Sequence, residues 1–294
     1  MTAGPVWERD GRDWPNREAS RFVTVSGQRW HVQVMGSGPV VLLLHGTGAA
    51  THSWRDLAPA LAERFTVVMP DLPGHGFTAA QASAAGYTLP GVARGVAGLL
   101  RYLDLTPVLM IGHSAGAAIA IRMCLDGATA PRAIISLNGA LLPFPGMTHE
   151  VFSPAARFLA NTPLAAWAVS LFTGTRSSVE RLLRATGSRI DAAGMRYYSR
   201  LAANPGHVRG ALALMANWDL RTLVRDMCRL QPRLLLVTGT RDGMVPPAEA
   251  YRIRSAVPSA EIVVLRGLGH LAHEERPEEI VRLVDRVLIE EAAA

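Results

Sequence analysis

The sequence predicts an α/β fold: a mostly parallel central sheet, helices on both faces, and an inserted helical segment. Three observations predict it. Continuous apolar runs such as Val40–Leu44, Ala133–Leu137 and Arg233–Thr238 have the character of strands buried on both faces. Helix-length segments separate the runs, and strand–helix alternation favours parallel pairing. From about Gly139 to Met227 the alternation stops, and it resumes at Arg233.

The elements follow in order. Phe22–Val25, the turn Ser26-Gly27, and Gln28–Met35 read as a β-hairpin with alternating apolar residues. Val40–Leu44 is a buried strand. Trp54–Ala62 is helical, with Ser53 as its expected N-cap. Thr66–Met69 is the next strand, and Thr88–Tyr102 is a helix with Pro90 in its first turn. Pro107–Ile111 reads as a strand and Ala117–Met123 as a helix, joined by Gly112-His113-Ser114-Ala115-Gly116. Ala133–Leu137 is another strand. The insertion, 139–228, carries Pro143, Pro145, Pro154 and Pro163 among helix-like segments and is expected to form a cap. The core is then 1–138 and 229–294, with strands Arg233–Thr238 and Glu261–Leu265. An amphipathic helix, Glu278–Glu290, closes the chain behind Pro277.

The G-x-S-x-G pentapeptide at 112–116 carries the chemistry. Between a strand and a helix it forms a sharp turn that exposes a serine hydroxyl at a helix N-terminus. Ser114 is therefore the candidate nucleophile. It needs a base and an orienting acid; in the α/β-hydrolases, which this elbow resembles, they follow in the order Ser, Asp, His. Asp242 follows the strand at Arg233, and His270 follows the strand at Glu261. His273 is the nearest competitor, but Gly269-His270 fits the loop better. A second place for the acid, after Leu137, holds Asn138 instead. Oxyanion donors are expected at the backbone N–H of Ala115 and, in His45-Gly46-Thr47-Gly48, of Thr47. His45, Trp54, His113, Trp167 and Trp218 are candidates for contacting substrate, although His45 also suits the role of loop organiser. Asp71-Leu72-Pro73-Gly74-His75 resembles a metal pair superficially, yet its glycines favour a structural turn, and no metal is expected.

The chain has 294 residues, 49% of them hydrophobic, and a net charge of +6. Every basic side chain other than histidine is arginine, so a lysine Schiff base is excluded. No dense basic run with interleaved aromatics points to nucleic acid. No apolar run reaches the ~20 residues needed to span a bilayer, and the polar first residues lack a signal-peptide profile, so a cytoplasmic protein is expected. Cys124 and Cys228 are expected to be buried, unpaired thiols. In the insertion, Phe144, Met147, Phe152, Phe158, Trp167, Phe172, Met195, Tyr197, Tyr198, Met215 and Trp218 are expected to seat the cap, some of them lining an apolar pocket. Its arginines, Arg157 through Arg209, read as a solvated face, with a few available to carboxylates of a substrate or partner.

On these motifs the chain from Phe22 to Leu288 resembles the α/β-hydrolase superfamily. A narrower resemblance rests on Trp7-Glu8-Arg9-Asp10-Gly11, Asp13-Trp14-Pro15-Asn16-Arg17, Thr47 through Arg55, Pro70 through Thr78, Asn138-Gly139-Ala140 and Pro143-Phe144-Pro145. These segments are similar to the magnesium-chelatase accessory proteins of bacteriochlorophyll biosynthesis. That resemblance implies a role near magnesium insertion into protoporphyrin in a photosynthetic bacterium. It implies a small apolar substrate, such as a tetrapyrrole, and magnesium-chelatase subunits as partners. Serine-hydrolase chemistry needs no metal or organic cofactor. The alternative is a non-catalytic tetrapyrrole-binding or chelatase accessory protein on the same scaffold. Dehalogenase chemistry is disfavoured, because it uses a carboxylate where this chain has Ser114. Carbon–carbon bond hydrolysis and cofactor-free oxygen chemistry stay open.

Overall fold

The computed structural model describes residues 4–143 and 163–293. Phe144, Pro145, Met147, Phe152, Pro154, Arg157 and Phe158 of the expected insertion lie outside the described residues. The strands are β1 (Ser20–Val25), β2 (Gln28–Met35), β3 (Val40–Leu44), β4 (Thr66–Pro70), β5 (Pro107–His113), β6 (Ala133–Leu137), β7 (Arg233–Gly239) and β8 (Glu261–Leu265). The helices are α1 (Trp7–Asp10), α2 (Leu57–Ala62), α3 (Leu89–Tyr102), α4 (Ala115–Leu125), α5 (Pro163–Thr173), α6 (Arg176–Ala185), α7 (Ala192–Ala202), α8 (Pro205–Ala216), α9 (Arg221–Asp226), α10 (Ala248–Ala256), α11 (Ala272–Glu275) and α12 (Pro277–Ala293).

Among the described residues one eight-stranded sheet runs in the order β1-β2-β4-β3-β5-β6-β7-β8. β1 and β2 form the antiparallel hairpin, β2 lies antiparallel to β4, and the remaining pairs are parallel. Alternation along each central strand divides the core in two. Leu42, Leu44, Met110, Ile134 and Leu236 face α3, α4 and α10. Val41, Leu43, Ile111, Ile135 and Val237 face α2 and α12. Each fully buried leucine or isoleucine contributes about 1.5–3 kcal/mol, so strand spans and faces follow directly from the apolar pattern. Parallel register then matters for function. Leu44 pairs with Gly112, His113 with Leu137, and Leu137 with Val237, while Gly239 pairs with Leu265. The loops after β3, β5, β6, β7 and β8 therefore leave the same edge of the sheet.

Two sequence expectations change. Ser53 does not cap α2. Thr51 N donates to the buried Asp71 (2.7 Å), and Thr51–Trp54 forms a 3-10 turn in which Ser53 Oγ donates to Ala50 O. The helix begins only at Leu57. Of the cysteines, Cys228 is exposed and Cys124 half-buried. Burial pushes the Cys124 thiol up to about 12.

Between β6 and β7 the described residues form α5 to α9. These helices return to the functional edge. His207 of α8 accepts from Gly76 N (3.1 Å) and donates to Gly48 O (3.2 Å), bridging the turns after β4 and β3. The N-terminal segment also clasps them. Trp14 is buried and donates to Thr51 Oγ1, Tyr197 OH donates to Asp13 O, and Arg200 pairs with Asp13 (2.7 Å). No helix among the described residues is long and apolar enough to cross a membrane.

Candidate active site

Ser114 sits where β5 turns into α4, with φ 52° and ψ −116°. A left-handed serine is a strained backbone, stored by the tight strand–helix packing around it. Gly116 shows why that packing needs glycine: a Cβ there would lie 2.0 Å from the carbonyl oxygen of Leu44. The loop after β3 closes from the other side. A Cβ on Gly46 would meet His113 Nδ1 at 2.8 Å and Ser114 Cβ at 3.0 Å. Ala115 begins α4 immediately after Ser114, and Thr47 is exposed on the loop beside Gly46.

Asp242 and His270 meet across the ends of β7 and β8. His270 Nδ1 donates to Asp242 Oδ2 at 2.8 Å. The other oxygen, Oδ1, accepts from Met244 N (2.7 Å) and Val245 N (2.8 Å), which fixes the carboxylate's rotation. With Nδ1 donating to a carboxylate, the His270 proton is on that nitrogen and the Nε2 lone pair is the basic one. His113 links this pair to the serine turn. Its Nε2 donates to the His270 carbonyl (2.9 Å), and the two rings lie 4.7 Å apart. Burial, then the neighbouring His273 and His270, hold His113 well below the usual imidazole range. A neutral His113 therefore leaves no competing charge beside His270. His273 lies against His113, its ring tilted and 4.5 Å away, and burial pushes it down to about 3. At that value it is no base near neutral pH.

The other candidates occupy varied positions. His45 is fully buried: Nδ1 donates to Gly46 O (2.8 Å) and Nε2 accepts from Leu72 N (2.9 Å). Both nitrogens are thus spent on shaping the loop. Trp54 is enclosed in the core cluster shared with α2 and α12, against His273. Trp218 packs half-buried on the opposite core cluster. Trp167 on α5 is 47% exposed. Asp71 is a structural knot: its oxygens accept from His31 Nδ1, Thr51 N and Phe77 N. Burial opposes its charge, but His31 and these N–H donors hold the carboxyl well below its usual range. Among the described residues no cluster of three or more His, Cys, Asp or Glu is arranged to hold a metal.

Sequence reasoning missed two supports. Asn138, at φ 47° after β6, donates Nδ2 to Asp242 Oδ2 at 2.6 Å. Its signal was an asparagine at a strand's C-terminal end, a residue type that tolerates left-handed backbone. The turn between α6 and α7 grips the loops that carry Asp242 and His270. Thr186 O accepts from Gly243 N (3.2 Å) and His270 N (3.0 Å), and Ser188 Oγ accepts from Leu271 N (2.8 Å). No local pattern announces that role.

The alpha/beta hydrolase fold family matches residues 39–277. The chain belongs to the α/β-hydrolase family. Within it, this chain is 40% identical over 264 residues to the magnesium-chelatase 30 kDa subunit of Rhodobacter capsulatus, covering 89% of this chain and 92% of that protein. It is 27% identical to a pimeloyl-[acyl-carrier protein] methyl ester esterase of Aeromonas hydrophila subsp. hydrophila, covering 86% of this chain and 97% of that one. An α/β-hydrolase-fold protein from Burkholderia ambifaria superposes with a TM-score of 0.76 at 20% identity, covering 90% of this chain and 97% of the other, a likeness of fold.

Proposed function

We propose that this α/β-hydrolase is a serine hydrolase that cleaves an ester, thioester or similar acyl bond of a small apolar substrate. We place its work at or near the magnesium-chelatase step of bacteriochlorophyll biosynthesis. The observation that carries the reading is the Asp242–His270 hydrogen bond of 2.8 Å at the sheet edge where Ser114 turns out at φ 52°.

In this mechanism Ser114 Oγ attacks the acyl carbon and its proton passes to His270 Nε2. Asp242 holds the ring and stabilises the imidazolium. The backbone N–H groups of Ala115 and Thr47 take the developing oxyanion; one such donor is commonly worth a factor of ~10²–10³. His270 then returns the proton to the leaving oxygen or sulfur. Water attacks the acyl-serine while His270 takes its proton, and His270 then gives that proton to Ser114 Oγ as the carboxylic acid leaves. Of the expected cap, the described helices α5 to α9 would cover this site, with Trp167 as the proposed contributor to substrate contact. A tetrapyrrole carrying an ester fits the apolar requirement, and chelatase subunits are the expected protein partners. The likeness to the Rhodobacter capsulatus subunit supports the pathway, and the likeness to the methyl ester esterase supports the reaction.

A second reading is an accessory protein that holds a tetrapyrrole without catalysis; it rests on a 40% identical relative named as a magnesium-chelatase subunit. Intact mass after exposure to a fluorophosphonate, wild type beside Ser114→Ala, separates the two. One adduct on wild type alone supports the hydrolase. An unlabelled, folded wild type would favour the accessory role.

A further inference from the structure

A groove of about 330 Å³ opens between α6 and α7, outside the catalytic loops. That volume falls at the lower end of small-molecule sites. Its apolar lining includes Leu183, Ile190 and Met195, and its charged lining includes Arg176, Arg184 and Arg189. Ser188 belongs to the same wall, and its Oγ accepts from Leu271 N, one residue past His270. The groove and the His270 loop therefore share a wall at Ser188.

The charges do not cancel. Arg176 and Arg184 both lean on one carboxylate, Glu180, at 3.0 and 3.5 Å. The second acid of the groove, Asp191, is already taken by Arg55 (2.9 Å) and by Gly194 N (2.7 Å). Arg189 anchors its backbone N–H on Glu275, yet its guanidinium has no ion-pair partner among the described residues. Counted over the whole lining, three guanidiniums stand against two carboxylates, and of the three only Arg189 has no ion pair among the described residues, so one free guanidinium beside an apolar wall suits a single carboxylate with an aliphatic body. A guanidinium fork also matches a carboxylate's two oxygens.

We infer that this groove binds an amphipathic monocarboxylate, with Arg189 taking the carboxylate and Leu183, Ile190 and Met195 taking the chain. The site is separate from Ser114 and independent of the chemistry proposed there.

Equilibrium dialysis of radiolabelled dodecanoate against the full chain tests it, with dodecanol as the uncharged probe. Wild type is expected to bind dodecanoate. Arg189→Gln is expected to weaken it about tenfold or more, the scale of one charge-assisted contact. Met195→Trp, which fills the groove, is expected to abolish it, and dodecanol is expected to bind as weakly as dodecanoate does to Arg189→Gln. Thermal melts of both variants report folding. No binding by wild type overturns the inference. So does equal dodecanoate binding by wild type and a folded Arg189→Gln, which would send the ligand to another site.

Discussion

Asn138 Nδ2 and His270 Nδ1 converge on the same oxygen of Asp242, at 2.6 and 2.8 Å. The carboxylate is thereby held by three loops of the sheet edge rather than two. Removing the amide in Asn138→Ala leaves the His270 contact but frees one side of the acid. The expected loss in kcat/KM on an activated ester is about tenfold, with KM little changed. Asp242→Asn is expected to cost much more, on the order of 10³–10⁴, because the imidazole loses its orientation and its counter-charge. Equal effects from both variants would contradict this division of labour.

Gly116→Ala tests the tight elbow. The new methyl would face the Leu44 carbonyl oxygen, a backbone atom that can yield only if β3 moves. Overpacking of this kind costs about 1–3 kcal/mol or more. Urea unfolding of the variant is expected to show that loss, and fluorophosphonate labelling of Ser114 is expected to slow.

Arg55 and Glu274 form a buried pair that ties the turn after β3 to the segment following His270. Arg55 Nη1 donates to Glu274 Oε2, and Tyr198 OH donates to Oε1 (2.7 Å), which adds α7 to the joint. Burial pushes the Glu274 carboxyl up to about 7, against the pull of Arg55 and Tyr198. Arg55→Ala would strand it, at an expected cost of roughly 3–5 kcal/mol. The double variant Arg55→Met/Glu274→Leu is expected to recover most of that stability, because it removes both charges together. Denaturant melts at one pH compare them.

Acid should destabilise the fold. Burial holds His45, His52, His75, His113, His207 and His273 below the usual imidazole range, with His207 at about 4 and His273 at about 3. Below about pH 6.5 the unfolded chain binds protons that the folded chain refuses, so stability falls as pH falls. For His207 the loss continues until about pH 4, and for His273 until about pH 3. Glu274 acts oppositely: its folded value of about 7 exceeds the ordinary 4.5, so it gains stability as pH drops between them. One such group does not offset the histidines. We expect Tm to fall by roughly 10 °C or more from about pH 7.5 to about pH 5.5, at up to ~1.4 kcal/mol per pH unit for each proton. A flat Tm over that range would mean that the histidines are not held neutral.

Much of the fold was legible because its signals are local. β6 and β8 match their apolar runs residue for residue, and Thr88 caps α3 through Gly91 N as an N-cap threonine should. The elbow and the loops holding Asp242 and His270 were legible for the same reason, since turn chemistry and strand ends lie within a few residues of them. Ser53 misled because a distant carboxylate, Asp71, captured its loop. Arg200, read as a solvated residue, is paired with Asp13 of the N-terminal segment, a partner 187 residues away.

The sequence by itself determined the α/β class, the strand spans and the order of Ser114, Asp242 and His270, because burial periodicity and turn propensity act over short stretches. Only the tertiary structure decided which nitrogen of His270 is basic, that Asn138 braces Asp242, and that His45 is consumed by its own loop. Each depends on groups brought together by parallel pairing across the sheet edge, as with the 104 residues that separate Asn138 from Asp242. Hydrogen-bond partners and desolvation are properties of that assembled neighbourhood, and a local pattern of residue types does not contain them.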